Sequence, residues 1–142
     1  METTMKEYRY EDISLGLTES FSVIVNKEMH LDFSRNSGDI NPMHVDVEYA
    51  KLHGYQDVVV FGMLTASFYS TLVGVYLPGK YALLQGVNTT FHAPVFSGDT
   101  LLITGSVVEL RDKYKMIEIK AKIINQCGKT VSRAMINSRV LH

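Results

Sequence analysis

The stretch Ser37-Gly38-Asp39-Ile40-Asn41-Pro42-Met43-His44 sets a carboxylate and an imidazole five residues apart on a chain that Gly38 and Asn41-Pro42 force to bend. On a bent chain both groups can converge on one small volume, as two groups sharing a water or a substrate proton must. Asp and His suit that work, because a carboxylate accepts protons while imidazole titrates near neutrality and can give or take one. The same residues also admit a structural reading: Asp39 as a turn cap, Asn41 in an Asx turn and His44 as a half-buried, satisfied ring. On spacing alone the structural reading leads.

A second feature lies at Phe61-Gly62-Met63, where the valines 58–60 give way to an apolar helical pattern with glycine at the junction. Glycine permits close backbone approach. The unpaired N–H groups of a helix start, with the positive end of its dipole behind them, can hold the oxygen of a carbonyl as it becomes enolate-like. Relief of crowding where helix meets sheet explains the same glycine equally well.

Elements must position these groups. Leu64, Phe68, Leu72 and Tyr76 recur every fourth residue, with Ala66 and Val73 widening the face, which predicts a buried helix over Gly62 to Tyr76. Shorter helices are predicted over Lys27 to Ser37, capped by Asn26, and Val47 to His53, capped by Asp46 and stopped by Gly54. Alternating runs predict strands over Ser20 to Val25, Ala82 to Phe91, Thr100 to Leu110, Tyr114 to Asn125 and Thr130 to Leu141. Turns are expected at Ser97-Gly98-Asp99, Arg111-Asp112-Lys113 and Cys127-Gly128-Lys129. One long helix against a five-stranded antiparallel sheet gives an α+β architecture in which the sheet wraps the helix.

Composition narrows the function classes. The chain has 142 residues, 46% hydrophobic and 20% charged, which suits one domain over residues 1–142 burying roughly 70% of its unfolded surface. A formal net charge of -1 supplies no basic field for nucleic acid or anionic lipid. Cys127, the single cysteine, can form no internal disulfide, which fits a reducing, cytoplasmic setting. The opening residues 1–19 carry spread charges and no secretory core, and Gly62 to Leu77 is shorter than the ~20 residues that span a bilayer. His30, Asp46, His53 and His92 show no metal-ligand spacing, so no metal is expected.

Taken together, Ser37 to His44, the following Glu48-Tyr49-Ala50, Tyr10-Glu11-Asp12-Ile13-Ser14-Leu15-Gly16, Phe61-Gly62-Met63-Leu64-Thr65-Ala66-Ser67 and the run Phe91 to Leu101 resemble the MaoC-like, (R)-specific enoyl-CoA hydratase family. The resemblance implies a hot-dog fold with an added loop-helix segment carrying the site, a homodimer or larger homo-oligomer, and an active site at or near the subunit interface. It implies that Asp39 and His44 are the catalytic pair, that Asn41 and Pro42 shape their loop, that the Gly62 amide binds the thioester carbonyl, and that Ser70 lies near the site. The family's commoner residue before that glycine is histidine; here it is Phe61, so any polar role of that side chain is absent.

The implied reaction adds water to a trans-2-enoyl thioester to give the (R)-3-hydroxyacyl thioester, or runs in reverse, on a coenzyme A or acyl carrier protein thioester. No cofactor is expected, since the thioester itself acidifies C2. Carrier binding calls for cations, and Lys51, Lys80, Arg111, Lys113 and Arg133 are available without being placed. Two other functions stay open: thioester hydrolysis on the same fold, and a non-catalytic subunit that binds acyl thioesters.

Overall fold

The computed structural model describes residues 4–142. Five strands form one antiparallel sheet: β1 (Thr18–Ile24), β2 (Ala82–Phe91), β3 (Thr100–Arg111), β4 (Met116–Ile124) and β5 (Thr130–Val140), in the order β1-β3-β4-β5-β2. Four helices are α1 (Lys27–Ser37), α2 (Pro42–Val45), α3 (Val47–Leu52) and α4 (Gly62–Thr71), the last continuing into a wider π-type turn over Leu72–Tyr76. This is the sheet-around-helix arrangement that the sequence pattern predicts, and the hot-dog fold that the family resemblance implies.

Strand alternation sorts the core. Ile117, Ile119 and Ile123 of β4, with Ile136 and Val140 of β5, point inward and are buried, while Lys120, Lys122, Arg133 and Arg139 between them are exposed. The wide turn after α4 drives Leu72 onto β3, where Gly105 makes room. A Cβ at Gly105 would stand 2.7 Å from Leu72 Cδ2 and 2.9 Å from Ile119 Cγ2, so a side chain there would collide with the packing that joins helix to sheet.

Several expected boundaries shift. The strand read from Tyr114 begins at Met116, because Asp112–Tyr114 coil into a 3-10 turn and Lys115 takes a left-handed conformation (φ 47°). The first strand starts two residues earlier than the pattern indicates, at Thr18. Nor is the long helix buried all round. Thr65 and Tyr69 are buried beside Leu64, Leu72 and Val73, whereas Met63, Ser67 and Ser70 are exposed. The two buried hydroxyls are paid by partners: Thr65 Oγ1 donates to the Gly62 carbonyl at 2.7 Å, and the Tyr69 hydroxyl bonds Ser132 Oγ at 2.5 Å.

Candidate active site

A succession of side-chain caps builds the loop that carries the predicted pair. Asn26 Oδ1 accepts the Met29 N–H and starts α1. Gly38 ends it in the left-handed conformation (φ 75°), its N–H donating to the Ser34 carbonyl at 2.9 Å. Asp39 then makes an Asx turn, its Oδ1 accepting the Asn41 N–H at 3.0 Å while Ser34 Oγ donates to its carbonyl. Asn41 caps in turn, accepting the Met43 N–H at 2.9 Å, with Pro42 at the first position of α2. Asp46 does the same for α3. The four residues of α2 are the helix that the sequence pattern leaves as a turn.

This scaffold turns the His44 ring inward. Its Nδ1 donates to the Val59 carbonyl at 2.5 Å, while Nε2 makes no hydrogen bond among the described residues. The ring lies against Phe61, centroids 4.2 Å apart and planes 29° from parallel. Segment 58–60 is itself pinned, since Val59 donates to the Met43 carbonyl at 3.1 Å and Val60 to the Val95 carbonyl at 2.8 Å.

Both His44 and Gly62 line a cavity of about 410 Å³, together with Thr65, Phe91, His92 and Val95. Gly62 is the first residue of α4, so its N–H has no carbonyl within the helix and lies at the positive end of the dipole. A Cβ at Gly62 would sit 3.0 Å from the Phe91 ring, so the missing side chain lets strand β2 approach the helix start. Asp39 and Asn41 are exposed on the loop and do not line this cavity. Ser70 is exposed on α4, more than two turns beyond Gly62, and does not line it either.

The far wall escapes the sequence pattern. Phe91 and His92 come from the end of β2 and Val131 from β5, joined by the His92 N–H donating to the Val131 carbonyl at 2.7 Å. His92 Nε2 also bonds Thr90 Oγ1 at 2.9 Å. The run Phe91-His92-Ala93-Pro94 carried the signal, but only sheet register says which cavity it faces. Among the described residues no cluster of three His, Cys, Asp or Glu side chains could hold a metal ion. No helix among the described residues is long and apolar enough to cross a membrane.

Comparison with known proteins decides the family. The family model described as "MaoC like domain" matches residues 12–126, most of the chain. The chain belongs to the MaoC-like family. This MaoC-like chain is 35% identical over 96 residues to the (R)-specific enoyl-CoA hydratase of Aeromonas caviae, covering 68% of this chain and 72% of that one. It is 32% identical over 111 residues to the protein of the same name from Rhodospirillum rubrum, covering 78% and 77%. A tomato (Solanum lycopersicum) 3-hydroxyacyl-[acyl-carrier-protein] dehydratase is 33% identical over 117 residues, covering 78% and 70%. Among solved structures, the A. caviae (R)-hydratase superposes on the MaoC-like chain with a TM-score of 0.87 at 28% identity, over 92% of this chain and 98% of that one.

Proposed function

We propose that this MaoC-like chain, as one domain over residues 1–142, adds water across the C2=C3 bond of a trans-2-enoyl thioester to give the (R)-3-hydroxyacyl thioester, and catalyses the reverse dehydration. One observation carries the reading: a single cavity is walled by His44, whose Nε2 has no hydrogen-bond partner among the described residues, and by Gly62, whose N–H at the helix start has none among them either. The relatives named (R)-specific enoyl-CoA hydratase supply the substrate class.

The chemistry follows from those groups. The Gly62 amide, at the positive end of α4, draws charge onto the thioester oxygen and leaves C3 electron-poor. A water held between His44 and Asp39 gives up a proton as its oxygen attaches to C3. The pair returns a proton to C2, and the thioester carbonyl re-forms as the enolate-like charge leaves its oxygen. One oxyanion donor is worth ~2.7–4 kcal/mol of barrier, and acid/base help contributes ~10²–10⁴-fold, so no single group carries the whole acceleration.

Asp39 enters this scheme from the exposed side of the loop. Its Oδ1 is held by the Asn41 N–H, and its Oδ2 has no hydrogen-bond partner among the described residues. A second copy of the chain closes that side in this reading, with Ser70 on the shared surface. Support comes from β2, an edge strand whose Val87 and Phe91 lie opposite the buried Ile136 and Ser132, hence face the core side, yet are 40% and 50% exposed. The acyl thioester arrives on coenzyme A or on acyl carrier protein, as in the names of the relatives. A reducing cytoplasm suits the lone exposed Cys127.

Incubation with crotonyl-CoA tests the reaction. Loss of enoyl absorbance with formation of the (R)-3-hydroxyacyl product and no free thiol is the expected result. Thiol release without that product makes the protein a hydrolase, and tight binding without turnover over several chain lengths and carriers makes it a binding subunit.

A further inference from the structure

We propose that His30 is a positioning residue for His44: by holding the His44 backbone carbonyl it fixes where the free Nε2 points in the cavity. The inference rests on the reading of His44 given above. His30 lies on α1 and is 6% exposed. Its Nε2 donates to the His44 carbonyl at 2.7 Å, a bond across 14 residues. That carbonyl needs an outside partner. It belongs to the last turn of the four-residue α2, and the N–H that a longer helix would offer it, from Glu48, is taken by Asp46 Oδ1.

His44 is therefore gripped at two points, its ring by the Val59 carbonyl and its backbone by His30. Phe61 links the two imidazoles, with its centroid 4.6 Å from the His30 ring and 4.2 Å from the His44 ring. Without the His30 bond, the single turn of α2 keeps its ties at Met43 and from the Asp46 N–H to the Pro42 carbonyl, but the His44 carbonyl is no longer held and its peptide can tilt, carrying the His44 Cβ with it.

The other nitrogen of His30 says that the residue is not there for packing alone. With the proton on Nε2, Nδ1 presents a lone pair, and this atom is buried with no hydrogen-bond partner among the described residues. A buried acceptor without a donor costs stability that a leucine of similar size avoids. The imidazole offsets that cost through the one bond that leucine cannot make.

Two substitutions separate the roles, because packing and positioning rank them oppositely. His30→Leu keeps the volume and removes the donor; His30→Gln keeps an N–H at about the same reach and stays polar. His30→Leu removes one unpaired acceptor, His30 Nδ1, and leaves another, the His44 carbonyl, so positioning predicts a melting temperature little changed yet a kcat on crotonyl-CoA ~10- to 10²-fold lower with KM little changed, since a small misplacement of a catalytic group is that expensive. His30→Gln should recover most of the rate. A second readout is independent of turnover: ¹⁵N signals of the His44 ring should show the Nδ1–H form in the wild type and in His30→Gln, and should shift or broaden in His30→Leu. If His30→Leu folds poorly, His30→Met takes its place. Wild-type turnover and ring signals in His30→Leu, or losses in His30→Gln as large as in His30→Leu, overturn the inference. A wild type without hydratase activity instead overturns the proposed reaction, and the ring signals then decide the role of His30 alone.

Discussion

Replacing His44 by Asn separates its chemistry from its contribution to the fold. The Asn amide nitrogen stands where Nδ1 stands, two bonds from Cβ, so the bond to the Val59 carbonyl can persist while the free Nε2 disappears. Loss of acid/base help costs ~10²–10⁴ in rate, or ~2.7–5.4 kcal/mol at ~1.36 kcal/mol per decade. The stability cost is smaller. The stack on Phe61 is worth ~0.5–1.5 kcal/mol, and the retained bond to Val59 costs nothing, so the total is near ~1 kcal/mol. In a domain of this size that lowers the melting temperature by roughly 3 °C. His44→Ala loses the bond as well, for a total of ~2 kcal/mol and roughly 6 °C. Following enoyl absorbance with crotonyl-CoA beside thermal melting gives both quantities from one preparation. If His44→Asn keeps more than about a tenth of the wild-type kcat, the imidazole is not the group that moves the proton, whatever its place in the cavity.

Asp39→Asn preserves the Asx-turn acceptor, so the melting temperature should hold within about 1 °C while kcat falls at least ~10²-fold; an unchanged rate assigns Asp39 to the turn alone. The chain should sediment and scatter light as a dimer or larger, and a clean species of 16.0 kDa contradicts the pairing proposed for the β2 edge. Alkaline stability gives an independent check of the fold. Tyr10 is pushed up to about 12, first by desolvation and then by its hydrogen bond to Asp112. The phenol stays protonated in the folded chain after it ionises in the unfolded one, so its contribution is complete below pH ~10 and is lost as pH rises from about 10 to about 12. Tyr69, raised chiefly by burial, acts in the same direction. Urea midpoints at pH 9 and pH 11.5 should therefore diverge less in Tyr10→Phe than in the wild type, and an equal divergence refutes the Tyr10–Asp112 coupling.

What the sequence discloses about this fold is what a few neighbouring residues decide. The bounds of α1 and β2 follow from an Asn cap, a left-handed glycine and a run of alternation, each acting within a turn or two. The caps at Asn26 and Asp46 read correctly for the same reason. Thr65 and Tyr69 were invisible as core residues because a hydroxyl counts as polar in a pattern, whereas in the chain each is cancelled by a partner, three residues away for one and 63 for the other. The site divides the same way. The loop from Asp39 to His44 is one local construction, and the glycine at the start of α4 is a second. The wall of Phe91, His92 and Val131 depends on β2–β5 register, and His30 depends on α1 lying across the end of α2. No spacing rule contains those relations.

The polar atoms of the site are anchored to backbone rather than to one another, and that choice suits the proposed reaction. His44 Nδ1 is spent on Val59 and Asp39 Oδ1 on Asn41, while neither side chain enters an ion pair among the described residues. Each therefore keeps one heteroatom fixed and one free. A direct Asp39–His44 ion pair would hold the shared proton on the imidazole and occupy both free atoms, leaving nothing to bind a water in its own right. Anchoring to neutral carbonyl and amide groups orients the pair without settling where the proton rests, as a catalyst run in both directions requires. In the proposed reaction the strength of such a site would depend on excluding solvent: the Gly62 amide would act on the thioester oxygen far more strongly in a closed, low-dielectric cavity than in an open one. The exposed Phe91 at the cavity wall and Ile40 on the loop, 75% exposed, are the apolar surface that closure would use. In the proposed reaction, pairing of two chains would then be a condition of the chemistry.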